Sequence, residues 1–153
     1  METGFLEPLL ARESSVNKAD LEALVTERVA DADVLLKNNR YSAAYYLCGY
    51  AIECAIKVCI AGQTQRHDFP PKPNIVRDIY THELQRLLKA ANLEAAWKLA
   101  VQSDKELEIN WLVIQRWTEE DRYRLPSQQE AQDLYQAVTE PTHGMLQWIQ
   151  KYW

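Results

Sequence analysis

The sequence predicts an all-α fold, an up-and-down bundle of about five helices. Apolar residues recur at intervals of three and four in several segments, which is the spacing of one face of an α-helix, and no segment shows a strand pattern. Of the 153 residues, 47% are hydrophobic and only 4 are glycine, so a sizeable core is available. We expect a single domain over residues 1–153, with 1–17 as an N-terminal extension.

Two long helices are expected first. The segment from Lys18 to Lys37 is amphipathic, with Asn17 as its N-cap and Asn38 at its end. The next helix, from about Ser42 to Ala61, is apolar almost all round and should be the central helix. Its three cysteines are odd in number and too widely spaced for a zinc site, so we expect reduced core thiols at Cys48, Cys54 and Cys59.

A long loop is predicted over residues 63–80, because three prolines fall within four positions of it and cannot continue a helix. Shorter helices should follow. Thr81 is the expected cap of a helix over 82–91, and Asn92 can cap another that ends at Ser103. A helix over 104 to about 117 carries too many apolar residues for one buried face, so it should be buried on two sides.

Residues 118–126 read as a polar connection, and the last helix begins after it. Ser127 and Glu130 have the spacing of a capping box, and Pro141 with Gly144 should bend the last helix or split it in two. The acidic run 119–121 is interpreted as a solvated turn in preference to a cation site, and His143 as a surface residue.

Charge and composition exclude several function classes. The formal net charge of −5 means that the molecule as a whole repels nucleic acid and anionic membranes, so any contact with a polyanion must be local. The N-terminus lacks the pattern of a secretion signal, and Glu53 and Lys57 within the most apolar stretch argue against a membrane span. There is no phosphate-binding glycine loop, zinc spacing or serine-nucleophile motif. We expect a cytoplasmic protein with no membrane partner, metal or cofactor.

Three segments together resemble the HEPN domains, small helical bundles associated with nucleotides and RNA. Residues 40–57, RYSAAYYLCGYAIECAIK, are similar to the first signature of the family, with its alanine-rich core and a Glu and Lys four apart. Residues 81–84, Thr-His-Glu-Leu, resemble the start of the next helix, and residues 117–123 resemble the Arg-Tyr connection before the last helix. The resemblance extends from about Lys18 to the C-terminus and implies a HEPN-like bundle that forms a homodimer.

The resemblance also points to catalytic candidates. HEPN ribonucleases carry an Arg and a His four to six residues apart, with a polar residue after the Arg, and Arg77, Asp78 and His82 have this spacing. The family chemistry implies Arg77 on the phosphate, His82 as acid or base, and Asp78 as an orienting neighbour. Such a pair suits metal-independent RNA cleavage, which needs proton transfer and a cation beside the phosphorane.

A structural interpretation of the same residues stays open. In the family's nucleases the Arg and His lie in or beside a late helix, whereas Arg77 lies in the predicted loop, and His82 also fits a pattern in which a His at a helix start makes local hydrogen bonds. Glu53 and Lys57 lie one turn apart and should satisfy each other near a buried seam, which makes them structural residues.

Basic residues suggest where RNA or nucleotide would bind. Arg66, Lys72 and Arg77 form a mildly basic island in the predicted loop, and Arg122 with Arg124 forms a second basic group beside aromatic residues. A solvated loop is the alternative for the first group and a partner-subunit interface for the second.

The function expected from this resemblance is a HEPN-type accessory protein that binds nucleotide or RNA, as part of a toxin-antitoxin or defence system with a nucleotidyltransferase partner. Two alternatives remain: a metal-independent endoribonuclease that uses Arg77 and His82, and a dimerisation module without catalysis.

Overall fold

A computed structural model describes residues 16–64 and 79–153. Within these two ranges the chain is all-helical, with seven α-helices, a 3₁₀-helix at Glu119–Tyr123, and no strand. The α-helices are α1 (Lys18–Lys37), α2 (Tyr41–Thr64), α3 (Leu84–Ala90), α4 (Glu94–Ser103), α5 (Lys105–Ile114), α6 (Gln128–Thr139) and α7 (Met145–Gln150). The all-α class is confirmed, but there are more helices than the five or so predicted.

Helix α1 begins and ends as its sequence predicts. The Asn17 side chain accepts a hydrogen bond from the Asp20 backbone N–H at 2.9 Å, and the Asp20 carboxylate accepts one from the Asn17 N–H at 3.0 Å. The N–H groups of Asn17 and Asp20, which have no partner within the helix, are therefore both satisfied. At the other end, Asn39 has a φ of 59°, a left-handed conformation that asparagine tolerates, and the chain turns directly into α2.

Helix α2 is the central helix of the bundle. It packs against α1, α3, α6, α7 and the 3₁₀-helix, and almost every residue from Cys48 to Ile60 is buried. By length and hydropathy α2 could cross a membrane, but 72% of its most apolar window is buried inside the bundle. Its cysteines are free thiols within the core.

Several predicted boundaries need correction. Helix α2 continues past Gly62 to Thr64, because that glycine has ordinary helical backbone geometry and does not end the helix. Residues 63 and 64 of the loop predicted over 63–80 are therefore helical, and its three prolines lie outside the described residues. Asn92 does not cap α4; it adopts a left-handed φ of 57° at the end of the preceding turn, and Leu93 occupies the N-cap position.

The predicted last helix is two helices, which accounts for part of the difference in number. Helix α6 ends at Thr139, and α7 begins only after the turn that contains Pro141 and Gly144. A side chain at Gly144 would overlap the Glu140 backbone, so this turn requires glycine. Ser127 caps α6 by accepting a hydrogen bond from the Glu130 N–H. The Glu130 carboxylate lies near Arg124 and does not bond back to Ser127, so only half of the predicted capping box forms.

The connection before α6 is ordered by Asp121, which is buried. Its carboxylate accepts hydrogen bonds from the Thr118 N–H at 2.7 Å and from the Arg124 guanidinium. The interpretation of 119–121 as a solvated turn is therefore wrong for Asp121, because this carboxylate closes the first turn of the 3₁₀-helix.

Candidate functional site

The candidate site begins with Glu53, a carboxylate on the central helix that is only 2% exposed. Helix α2 carries it into the core because the residues on either side of it are apolar and pack on all sides. Lys57, one turn later, places its Nζ 3.3 Å from Glu53 Oε2. A buried carboxylate requires such a partner, since desolvation strongly disfavours an isolated charge.

His82 is the second partner of Glu53. Its Nδ1 lies 2.9 Å from Glu53 Oε1, and its Nε2 lies 3.2 Å from Glu119 Oε2. A carboxylate oxygen accepts from a ring N–H, so both ring nitrogens of His82 face an acceptor, Nδ1 that of Glu53 and Nε2 that of Glu119. The imidazole thus spans from the buried helix α2 to the 3₁₀-helix, with Nε2 at the more exposed end.

These contacts correct one interpretation of His82. The residue precedes α3 by two positions, and its ring makes long-range contacts in place of local hydrogen bonds at a helix start. Thr81 makes the local bond, since its hydroxyl oxygen accepts from the Glu83 N–H. The cap of α3 itself is Glu83, without a side-chain hydrogen bond, so Thr81 does not hold the predicted position.

The His82 side chain lines a cleft of about 810 Å³, which residues 80–85 and 115–120 enclose. Arg116 and Trp117 line one side of this cleft, and Tyr80, which is 78% exposed, lines the other. We refer to it as the His82 cleft. Its volume lies in the range of small-molecule sites, about 300 to 1,000 Å³.

Trp117 connects the cleft to the core. Its ring packs directly on Gly49 of α2, where any side chain would overlap the indole, and its centroid lies 5.9 Å from that of Tyr46. The Trp117 indole N–H is buried and has no hydrogen-bond partner. Because Gly49 has no side chain, the Trp117 ring can lie directly against α2 and form one wall of the cleft.

The second basic group lies next to this wall. The Arg122 guanidinium sits 4.9 Å from the centre of the Tyr123 ring, and hydrogen bonding to Tyr123 raises the pKa of Arg122 further above its already high value. Arg124 is engaged differently: hydrogen bonding to Asp121 raises its pKa, and its guanidinium also lies near Glu130 and over Tyr45. Arg122 with Tyr123 is thus exposed for a ligand, whereas Arg124 is held by two carboxylates.

Part of the predicted site cannot be placed. Arg66, Lys72, Arg77 and Asp78 lie outside the described residues, so the geometry that carries the site comes from His82, Glu53 and Lys57.

Two features of the structure were not predicted from the sequence. Nothing in the spacing of Glu53, His82 and Glu119 indicates that they meet, because they come from three separate elements. His143, interpreted as a surface residue, is clamped by Asp104, whose carboxylate lies 2.9 Å from its Nδ1, while Glu106 lies 3.2 Å from its Nε2. Hydrogen bonding to Asp104 raises the pKa of His143. Asp104 is the N-cap of α5 and lies 39 residues from His143 in sequence, so only the tertiary structure shows their contact.

The chemistry available in the cleft is proton transfer and anion or base recognition. A histidine oriented by a buried carboxylate can give or take a proton, and aromatic rings with arginine can stack on bases. Among the described residues no cluster of three or more His, Cys, Asp or Glu side chains could hold a metal ion. Comparisons of the chain with protein-family models, with curated proteins and with solved structures find no match.

Proposed function

We propose that the protein is a HEPN-type accessory domain that binds a nucleotide or a short single strand of RNA across the His82 cleft and the adjacent Arg122–Tyr123 pair. The observation that carries the proposal is the combination of an oriented histidine, a cleft of suitable volume and exposed aromatic rings at one end of the bundle. Tyr80 and Tyr123 are each 78% exposed. Exposed aromatics beside cationic groups are the means by which single-strand binders hold bases.

The charge distribution supports a local site. The whole chain carries a net charge of −5, so an anionic ligand must meet a cationic group directly. Arg116 lines the cleft, and Arg122, two residues after the last residue that lines it, lies over the Tyr123 ring. A guanidinium can hold a phosphate through two parallel hydrogen bonds, while the neighbouring rings accept a base.

Fluorescence anisotropy with a labelled single-stranded RNA of about ten nucleotides tests the proposal, since single-strand sites span about 4 to 16 nucleotides. We expect binding that weakens steeply with salt. Tyr123→Ala should lower the affinity about fivefold or more, because stacking contributes about 1 to 3 kcal/mol per base. Tyr152→Ala is the matched control, because Tyr152 is also an exposed tyrosine but belongs to the C-terminal end beside Trp148. Absence of RNA and nucleotide binding at low salt would remove the proposal.

A second candidate, a metal-independent endoribonuclease, is favoured by the Glu53–His82 contact. A carboxylate on Nδ1 fixes the ring and its tautomer, which leaves Nε2 to take the 2′-hydroxyl proton or to protonate the leaving oxygen. Glu119, which lies beside Nε2 and is partly exposed, would have to move aside for RNA. In the family's chemistry Arg77 would neutralise the phosphorane, with Asp78 beside it.

RNA cleavage in the presence of EDTA separates this enzyme from a binding protein. His82→Ala should abolish cleavage, and Glu53→Gln should reduce it by weakening the orientation of the imidazole. His143→Ala is the matched control, because His143 also lies between two carboxylates but does not line the cleft. Cleavage that persists in His82→Ala would assign the chemistry to another residue.

We also propose a homodimer in which helix α5 pairs with its copy. Ile109 is 59% exposed and Leu112 is also exposed, whereas Leu107, Trp111 and Ile114 are buried, so α5 buries one face and not the two that were predicted. Acidic Glu106 lies in the first turn and Arg116 follows the last, so an antiparallel pairing places opposite charges together. Analytical ultracentrifugation should show a dimer that Ile109→Glu converts to a monomer. A dimer without RNA binding or cleavage would instead support a dimerisation module.

The proposed setting is the cytoplasm, in a toxin-antitoxin or defence system with a nucleotidyltransferase partner. The resemblance of residues 40–57, 81–84 and 117–123 to HEPN signatures supports this setting. Co-expression with such a transferase, followed by purification through a tag on one chain, should recover both; recovery of this chain alone would argue against the partnership.

A further inference from the structure

We propose that a groove between α1 and α2 is a second ligand site, one that takes a small amphipathic carboxylate. The groove has a volume of about 690 Å³, within the range of small-molecule sites. Its walls are mostly apolar, and they include Leu21 and Leu24 from α1 and Ile60 from α2. It adjoins the His82 cleft, since Tyr80 lines both cavities, but the inference does not depend on the function proposed above.

The polar groups of the groove select the charge of the ligand. Lys57 and Lys18 both line it, together with the carboxylate of Glu53. Lys18 Nζ also lies 3.6 Å from Glu22 Oε1, in a pair whose two side chains are partly exposed, so an anion in the groove can compete for this lysine. Glu53 has two partners, because His82 Nδ1 lies 2.9 Å from Oε1 while Lys57 Nζ lies 3.3 Å from Oε2. His82 can therefore satisfy Glu53 when an anion attracts the Lys57 ammonium group. The groove thus offers two ammonium groups that can turn to an anionic ligand.

The apolar walls define the rest of the ligand. An extended hydrocarbon body can lie along Leu21, Leu24 and Ile60, where it loses contact with water, while its anionic end meets Lys57 or Lys18. Tyr50 also lines the groove, and burial raises the pKa of its hydroxyl to about 12, so this group remains a neutral hydrogen-bond donor beside the anion. A strongly hydrated polyanion such as RNA would gain little from such walls.

Glu53 and His82 separate the two cavities. Glu53 lines the groove, whereas His82 lines the cleft, and the hydrogen bond between them forms part of the wall. Substitutions on α1 can therefore fill the groove without touching the cleft. Leu24 serves this purpose, because it is only partly buried and does not line the His82 cleft.

Isothermal titration calorimetry with decanoate tests the proposal, and decyltrimethylammonium provides the same chain length with the opposite charge. Decanoate should bind once per chain, and the cationic amphiphile should bind at least tenfold more weakly. Leu24→Trp, which fills the groove, should abolish decanoate binding. Lys57→Met should lower the affinity about tenfold, since a hydrogen bond to a charged group is lost.

Lys37→Met is the matched control for charge, because Lys37 lies at the far end of α1 and also forms an i, i+4 pair, in this case with Asp33. Its affinity for decanoate should equal that of the wild type. Circular dichroism spectra would establish that each variant is folded, and Lys18→Met replaces Lys57→Met if the latter is not. No decanoate binding, equal binding of the two amphiphiles, or binding that Leu24→Trp leaves unchanged would overturn the proposal. In the RNA anisotropy assay, Leu24→Trp should bind RNA as the wild type does. A failure of the groove proposal can therefore be distinguished from a failure of the proposed function.

Discussion

Helix α2 carries two glycines that should respond in opposite ways to replacement by alanine. A Cβ on Gly49 would come closer than 3.0 Å to three ring atoms of Trp117, a separation that real Cβ atoms essentially never show. A Cβ on Gly62 would lie 3.6 Å from the nearest atom of the Lys18 side chain, which is an ordinary contact. The two substitutions change the same atoms in the same helix, so the difference between them isolates the packing of Trp117.

The expected magnitudes follow from these distances. Alanine is a better helix former than glycine by about 1 kcal/mol, so Gly62→Ala should stabilise the protein by about 0.5 to 1 kcal/mol near the end of the helix. Gly49→Ala gains the same helix propensity, but the indole must move by about 1 Å in a close-packed core. Overpacking of this kind costs about 1 to 3 kcal/mol, and the bicyclic ring cannot yield by a rotamer change alone. We expect a net loss of about 2 kcal/mol for Gly49→Ala.

Thermal and urea denaturation followed by circular dichroism measure both changes. At about 2 to 4 °C per kcal/mol for a chain of this length, Gly49→Ala should lower Tm by about 4 to 8 °C, and Gly62→Ala should raise it slightly. The double variant Gly49→Ala with Trp117→Leu should lose less stability than the sum of its single changes, because the smaller side chain removes the overlap. A Gly49→Ala protein as stable as the wild type would refute the packing of Trp117 on α2.

Three further predictions concern buried or paired groups. Glu53→Gln should destabilise the protein by about 1 to 3 kcal/mol in urea denaturation. This loss is smaller than for a fully buried ion pair, because Lys57 and His82 are both partly exposed. The control Glu22→Gln, on the surface of α1, should change stability by less than about 0.5 kcal/mol. Hydrogen bonding to Asp104 raises the pKa of His143, so its stabilising contribution is fully present below the unfolded value of 6.5 and is lost as pH rises through the folded pKa. The difference in Tm between wild type and His143→Gln should therefore shrink as pH rises above 6.5, and a constant difference would contradict this. Burial raises the pKa of the Cys48, Cys54 and Cys59 thiols, that of Cys59 to about 11. Ellman's reagent should therefore not label the native protein at about pH 8, but it should label all three thiols after unfolding.

Much of the fold was predictable from local patterns. The amphipathic spacing of α1, its Asn17 cap and the apolar character of α2 are visible within single windows of sequence, because helix formation and capping depend on residues three or four positions apart. The errors fall at helix ends. Gly62 and Asn92 are residues typical of a helix terminus, but packing and the turns around them place the actual boundaries elsewhere.

The candidate site was predictable only in part. His82 stands out in the sequence as a potential proton carrier, and Glu53 with Lys57 stands out as a charged pair in an apolar helix. Their meeting was not predictable, since His82 and Glu53 are 29 residues apart and no local rule relates them. The same holds for Glu119, and for the Asp104 and Glu106 carboxylates that hold His143.

The sequence by itself determined that this chain is helical, which helix is central, and which side chains can carry charge or protons, because each property depends on residue type and short-range spacing. Only the tertiary structure decided what those side chains contact. The packing of the other elements on α2 placed His82 against the buried Glu53 carboxylate and left Glu53 beside the lysine-lined groove. A buried charge requires a partner, and only the tertiary packing determines which residue provides it.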